Sequence, residues 1–193
     1  MAQLAPTKEA LLGVAELDVG GISRRQIHRL VERGDLVRID RGVFAHPDFQ
    51  PSQYHHLALV SLRCPSAVIA LTSAAAFHRL GTQIPHAVWI ALPPRTRAPK
   101  LESVTVEVAR FSGSRLEEDA EEHVIEGVRV RVYGLAKTVV DLFRYRNKLG
   151  IDVALEAMRE ALRDGRTSIA ELGRIARRDR VYGPLRPYLE SMQ

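Results

Sequence analysis

With 193 residues, of which 46% are hydrophobic and 26% charged, the chain is long enough for one large domain or two small ones and too apolar for a disordered or fibrous protein. Its formal net charge of +5, from 28 Lys and Arg against 23 Asp and Glu, favours an anionic partner such as nucleic acid. A single cysteine, Cys64, excludes an intramolecular disulfide and a four-cysteine zinc site and reads as a small core residue.

No stretch reaches the ~18 apolar residues of a membrane span, and Met1–Glu16 lacks the basic start and long apolar run of a secretion signal. The expected location is the cytoplasm, with no membrane partner.

In chain order, Pro6 and Thr7 open an expected first helix with Leu11, Leu12, Ala15 and Leu17 on its apolar side, stopped by Gly20-Gly21. A second helix runs from Ser23 to Gly34. Leu36–Ile39 and Gly42–Ala45 flank the polar pair Asp40-Arg41, the pattern of a β-hairpin. Pro47 and Pro51 bracket a polar stretch, so the expected boundary separates a domain over residues 1–46 from one over 47–193.

In the second part, helices are expected over Gln53–Leu62, Thr72–Leu80, Leu135–Tyr145, Ile151–Arg163 and Ile169–Arg178. Strands are expected at Ala67–Leu71, Ala87–Leu92, Val104–Arg110, Val124–Ile125 and Val128–Val132. Strands cluster in the middle and helices at the end. That order predicts an α+β fold, with a small sheet and C-terminal helices, rather than a doubly wound sheet.

The second helix carries the chemistry. Ser23 and Gln26 have the spacing of a capping box, which fixes the helix start at Arg24. Ile27, Leu30 and Val31 share one face and back the helix onto its neighbours. Arg25, His28, Arg29 and Glu32 lie opposite, and Arg24 and Arg33 flank them. Arg25 and Arg29 are four apart and stack on one side.

A B-DNA major groove admits such a helix, and an arginine there can pair with the O6 and N7 of guanine. Gln26 could pair with adenine, although its capping role competes for the same amide. Arg38 and Arg41 project from the hairpin, where a wing meets phosphates. The bland alternative is a solvated basic face: residues 1–46 hold seven Lys or Arg and six Asp or Glu, so the signal is one of arrangement more than of charge.

The runs Gly21-Ile22-Ser23-Arg24-Arg25-Gln26-Ile27, Leu30–Arg38 and Arg41-Gly42-Val43-Phe44 resemble the N-terminal antitoxin domain of AbiEi-type proteins, a winged helix-turn-helix. Ser73–Leu80 is similar to the Ser-Ala-Ala helix of the same family, and Gly127–Val130 with Leu135–Leu142 to its strand-and-helix segment, in which a Thr and an Asp stand three apart. Tyr133-Gly134 departs from the Ser-Pro that often precedes that helix.

The resemblance implies an antitoxin and transcriptional autorepressor of a toxin–antitoxin operon. It implies binding to inverted repeats in double-stranded promoter DNA, as a monomer or weak dimer, and a C-terminal domain that counters a nucleotidyltransferase-like toxin.

The remaining constellations are weighed against ordinary structural roles. Thr138 and Asp141 could contact a partner or form a phosphotransferase centre acting on the toxin; more simply, Asp141 is a paired carboxylate in an apolar helix, with Arg144 as a candidate partner. Glu117, Glu118, Asp119, Glu121, Glu122 and Glu126 read as a solvated acidic loop. Arg174, Arg177, Arg178 and Arg180 read as a helix surface, with secondary contact to DNA or toxin as the alternative. His55, His56, His78, His86 and His123 lack ligand spacing, so neither a metal nor a cofactor is expected.

Overall fold

The structure, a computed structural model, describes residues 8–192. Pro6 and Thr7, the expected opening of the first helix, lie outside them. The N-terminal unit runs β1 (Leu12–Gly13), α1 (Val14–Val19), α2 (Arg24–Glu32), β2 (Val37–Asp40) and β3 (Val43–Ala45). There follow α3 (His55–Arg63), β4 (Val68–Ile69), α4 (Leu71–Phe77), β5 (Val88–Leu92), β6 (Val106–Arg110), α5 (Ser114–Glu117), β7 (Ala120–Ile125) and β8 (Val128–Tyr133). The chain closes with α6 (Leu135–Arg144), α7 (Arg146–Leu149), α8 (Ile151–Arg163), α9 (Ile169–Arg178) and α10 (Tyr182–Glu190). This is an α+β architecture with a small N-terminal sheet and a larger mixed one.

One expectation for the first helix fails. Leu12 pairs with Phe44 and Gly13 with Val43, so β1 becomes the outer strand of a sheet ordered β1-β3-β2. Six residues of helix remain. The free edge of β3 offers backbone partners that a lone first turn cannot match, and the ladder wins. Gly21 takes φ +80°, and Ile22 N–H closes the turn on Leu17 C=O at 2.9 Å.

The second sheet is ordered β6-β5-β4-β8-β7, with β4–β8 and β5–β6 parallel and β4–β5 and β7–β8 antiparallel. It forms the middle layer. Every residue of β5 is buried, as both faces of an inner strand require. Ile69, Val88, Ile90, Leu92, Val128, Val130 and Val132 face α3, while Val68, Trp89, Ala91 and Tyr133 face the layer of α4, α6, α8, α9 and α10. The period-two pattern in β8 thus decides which side each valine serves.

Glu126 and Gly127 both have positive φ at the β7–β8 turn, the geometry of a type I′ hairpin that suits twisted strands. The acidic run expected as a solvated loop is therefore mostly ordered. Glu117 ends α5, Glu121 and Glu122 lie in β7, and Glu126 is drawn inward: its carboxylate accepts from Ser52 N–H at 2.7 Å and Ser52 hydroxyl at 2.8 Å, and meets His55 Nδ1 at 2.7 Å. Hydrogen-bond partners supplied by other elements override the local preference for water.

The two units share a core. Within β3, Phe44 points to the N-terminal cluster of Leu12, Leu17 and Ile27, whereas Val43 and Ala45 are fully buried in the cluster around α3. Helix α10 has no counterpart among the expected elements. Pro184 falls in its first turn, where no N–H is needed, so the proline is compatible with the helix start. No helix among the described residues is long and apolar enough to cross a membrane.

Candidate nucleic-acid interface

The capping box expected at Ser23 is present. Gln26 N–H donates to the Ser23 hydroxyl at 3.4 Å, and Ser23 N–H donates to Gln26 Oε1 at 2.8 Å. The Ser23 hydroxyl also donates to Gln26 Oε1 at 2.7 Å. The Gln26 carbonyl is thereby occupied, which leaves only its amide N–H groups for a base. Bidentate pairing with adenine needs both ends, so Gln26 serves first as the helix cap.

Ile27 is buried against Leu12, Leu17, Ile22 and Phe44, and this contact orients α2. Arg24, Arg25, His28, Arg29 and Arg33 are exposed on the remaining surface. Arg24, Arg25 and Arg29 enter no ion pair among the described residues. His28 meets Glu32 at 3.2 Å and Arg33 meets Asp35 at 2.9 Å, both in exposed pairs that a phosphate can displace at small cost.

The hairpin β2–β3 stands beside α2. Between them lies a groove of about 450 Å³ with Arg24, His28, Arg38 and Arg41 around it and Ile27, Val31 and Phe44 along its floor. Arg41 is exposed and has no acidic partner among the described residues. Arg38 is tied down: its guanidinium donates to Glu102 at 3.3 Å and to Asp40 C=O at 3.4 Å. Glu102 therefore competes with phosphate for this wing arginine.

Asp40, half of the polar pair at the hairpin tip, is a residue that sequence reasoning passed over. It is buried, and its carboxylate accepts from Arg41 N–H at 2.6 Å, Glu102 N–H at 3.1 Å, Ser103 N–H at 3.1 Å and the Ser103 hydroxyl at 2.7 Å. Burial alone would raise its pKa. The Ser103 hydroxyl and the three amides outweigh burial and hold the carboxyl below its ordinary value. The wing is thus fastened to the loop leading into β6.

The second pair of candidate residues does not reach any surface. Thr138 and Asp141 are both fully buried in α6. The Thr138 hydroxyl donates to Tyr133 C=O at 3.1 Å. Asp141 is held not by Arg144 but by Lys137, one helical turn back, whose ammonium donates to both carboxylate oxygens at 2.5 Å. Lys137 also lies 3.1 Å from Asp179 and sits against the rings of Phe111 and Tyr133 at 4.8 and 4.7 Å.

A lysine flanked by Ala136 and Thr138 carries no sign in the sequence that it will be buried. Only the packing of α9 brings Asp179 to it. Burial pushes the Asp141 carboxyl up to about 6 against the pull of Lys137, while Arg178 and Lys137 overcome burial at Asp179 and hold it below its ordinary value. Partner contact and group transfer both need access, so neither role fits Thr138 or Asp141.

The expected C-terminal basic cluster is also divided. Arg178 pairs with Glu118, Asp119 and Asp179, Arg177 stacks on Tyr182 at 4.0 Å, and Arg174 and Arg180 are exposed. No group of three or more His, Cys, Asp or Glu suited to a metal occurs among the described residues.

Strand, helix, glycine turn, capped basic helix and pinned wing follow one another over residues 12–45. Residues 7–47 match the family model described as transcriptional regulator, AbiEi antitoxin. The AbiEi match thus ends two residues beyond β3 and takes in both helices and the whole wing. No curated protein matches the chain. The crystal structure of RV2827C protein from Mycobacterium tuberculosis is similar, with a TM-score of 0.55 at 19% identity, over 86% of this chain. This chain spans 66% of the length of that one. The likeness extends the shared fold well past the AbiEi segment.

Proposed function

We propose that the chain is an antitoxin and transcriptional autorepressor that binds inverted repeats in the promoter of its own operon and counters a nucleotidyltransferase-like toxin. The carrying observation is α2 itself: a helix capped by Ser23, backed by Ile27, and presenting Arg24, Arg25 and Arg29 to solvent with no acidic partner among the described residues. The N-terminal AbiEi match supports the regulatory role.

In this reading α2 enters the major groove. Arg25 and Arg29 address base edges, and Arg24 lies toward the groove shared with the wing. Arg33, Arg38 and Arg41 contact phosphates, and His28 adds a weaker contact once freed from Glu32. Two copies meet on an inverted repeat, each a monomer or part of a weak dimer beforehand.

Fluorescence anisotropy with double-stranded DNA from upstream of the chain's own gene tests the reading. Binding that weakens steeply with salt and is lost in the Arg25→Ala/Arg29→Ala double variant supports it. Wild-type-like binding by that variant overturns the role of α2, and no binding at low salt would favour a module that meets proteins only. Co-expression with the neighbouring gene tests the antitoxin half: growth arrest that this chain does not relieve would remove it.

A further inference from the structure

Four arginines line one pocket of about 530 Å³ on the C-terminal side of the molecule: Arg115 from α5, Arg144 from the end of α6, Arg146 from α7 and Arg180 from the α9–α10 turn. Val181 and Pro184, at the start of α10, complete the lining, which holds no carboxylate. None of the four forms an ion pair among the described residues. The neighbouring acids are already committed: Glu117 to Arg131, Glu118 and Asp119 to Arg178, and Asp179 to Lys137 and Arg178.

Two of the arginines are held in place. Arg144 donates to Asp179 C=O at 3.1 Å and Arg146 to Phe143 C=O at 2.9 Å, each through one nitrogen, so the other donors stay free. Arg180 has φ +59° in the turn between α9 and α10. Helix α10 starts beside the pocket, but Val181 N–H is given to Ala176 C=O at 2.8 Å and Pro184 has none, so the donors here are the four guanidiniums.

Like charges gathered without a counter-ion repel, and a multivalent anion relieves that repulsion. Guanidinium forks match phosphate oxygens in pairs.

We infer that this pocket binds a terminal oligophosphate group, as carried by a nucleoside triphosphate or a 5′-triphosphorylated RNA. It is a site apart from the operator-binding surface. The pocket belongs to the layer of α6, α9 and α10, whereas the wing packs on the α3 side, and the five-stranded sheet stands between them. A duplex docked on α2 leaves it open.

Isothermal titration calorimetry on the full chain tests this with inorganic tripolyphosphate, ATP and a short 5′-triphosphorylated RNA as probes. Saturable binding of one tripolyphosphate per chain is expected. Arg115→Gln and Arg180→Gln should each weaken it about tenfold, and Arg25→Ala/Arg29→Ala should leave it unchanged. Arg180 is exposed and Arg115 only half-buried, so both variants keep the core intact.

Tighter binding of ATP or of the RNA than of tripolyphosphate would identify the source of the phosphate chain. Three results overturn the inference: no saturable heat from wild type at millimolar probe, loss of binding in the α2 variant but not at Arg180, or a poly-glutamate peptide binding more tightly than every phosphate probe.

Discussion

The Ser103 hydroxyl donates to the buried Asp40 carboxylate at 2.7 Å, and this contact joins the tip of the wing to the loop that enters β6, 63 positions along the chain. A wing fastened in this way presents Arg41 from a fixed point. Asp40→Ala should cost on the order of 1–3 kcal/mol, since it orphans the amides of Glu102 and Ser103 as well as the hydroxyl. Urea denaturation measures the loss. Because the folded pKa of Asp40 lies below its ordinary value, this stabilisation is present above the ordinary carboxylate range and fades as pH falls through it. The wild-type advantage over Asp40→Ala should therefore shrink in acid; an advantage that stays constant from neutral pH to pH 3 would contradict the clasp.

The two wing arginines should differ in operator binding. Arg38 is shared with Glu102, whereas Arg41 has no acidic partner among the described residues. Arg41→Ala should weaken binding more than Arg38→Ala, and each should reduce the salt slope by about one or less. Glu102→Ala should strengthen binding several-fold at low salt, by releasing Arg38 and removing a negative charge beside phosphate. Anisotropy titrations across a salt series decide this, and weaker binding by Glu102→Ala would refute it.

In the proposed reading, α2 gives the sharpest sequence dependence. Arg25→Ala and Arg29→Ala should each cost on the order of 1–3 kcal/mol on the operator and little on unrelated DNA. Gln26→Ala acts differently, since it breaks the cap. It should lower stability by about 1 kcal/mol and weaken both kinds of DNA alike. A selective loss of operator binding would show Gln26 to be a base reader after all.

Lys137 is enclosed with two carboxylates. Lys137→Met should cost about 3–5 kcal/mol, because Asp141 and Asp179 then face each other without their shared cation. The folded pKa of Asp141, about 6, exceeds its ordinary 3.8, so the folded state keeps a proton that the unfolded chain has released. Its contribution to stability falls as pH rises through that interval and is level above it. Asp179, with its pKa lowered, acts in the opposite sense and loses its contribution as pH falls through the carboxylate range. Without Lys137 the penalty at Asp141 should grow and extend to higher pH, so acid should partly rescue the variant in thermal melts.

Thr138→Val separates structure from chemistry at the buried helix. It should cost about 0.5–1.5 kcal/mol through the hydrogen bond to Tyr133 C=O. If the proposed antitoxin role holds, the folded variant should relieve growth arrest by the neighbouring gene's product as well as wild type does. Full stability with loss of neutralisation would return Thr138 to a functional role.

The sequence alone determined what depends on near neighbours. Ser23 and Gln26 marked the start of α2, Gly127 the β7–β8 turn, and the alternating valines of β8 a strand with one committed face. Each signal works within a few residues, through a cap, a permitted φ or a side-chain period. Tertiary structure decided the pairings that bring distant residues together. Leu12 became a strand because β3 had a free edge, Glu126 turned inward because Ser52 and His55 were waiting, and Lys137 lost its water because Asp141 and Asp179 replaced it. It also scattered a run of C-terminal arginines and assembled another four from α5, α6, α7 and the α9–α10 turn. A charge can be read from its letter, but its counter-charge is fixed only by the fold that sets the distance between them.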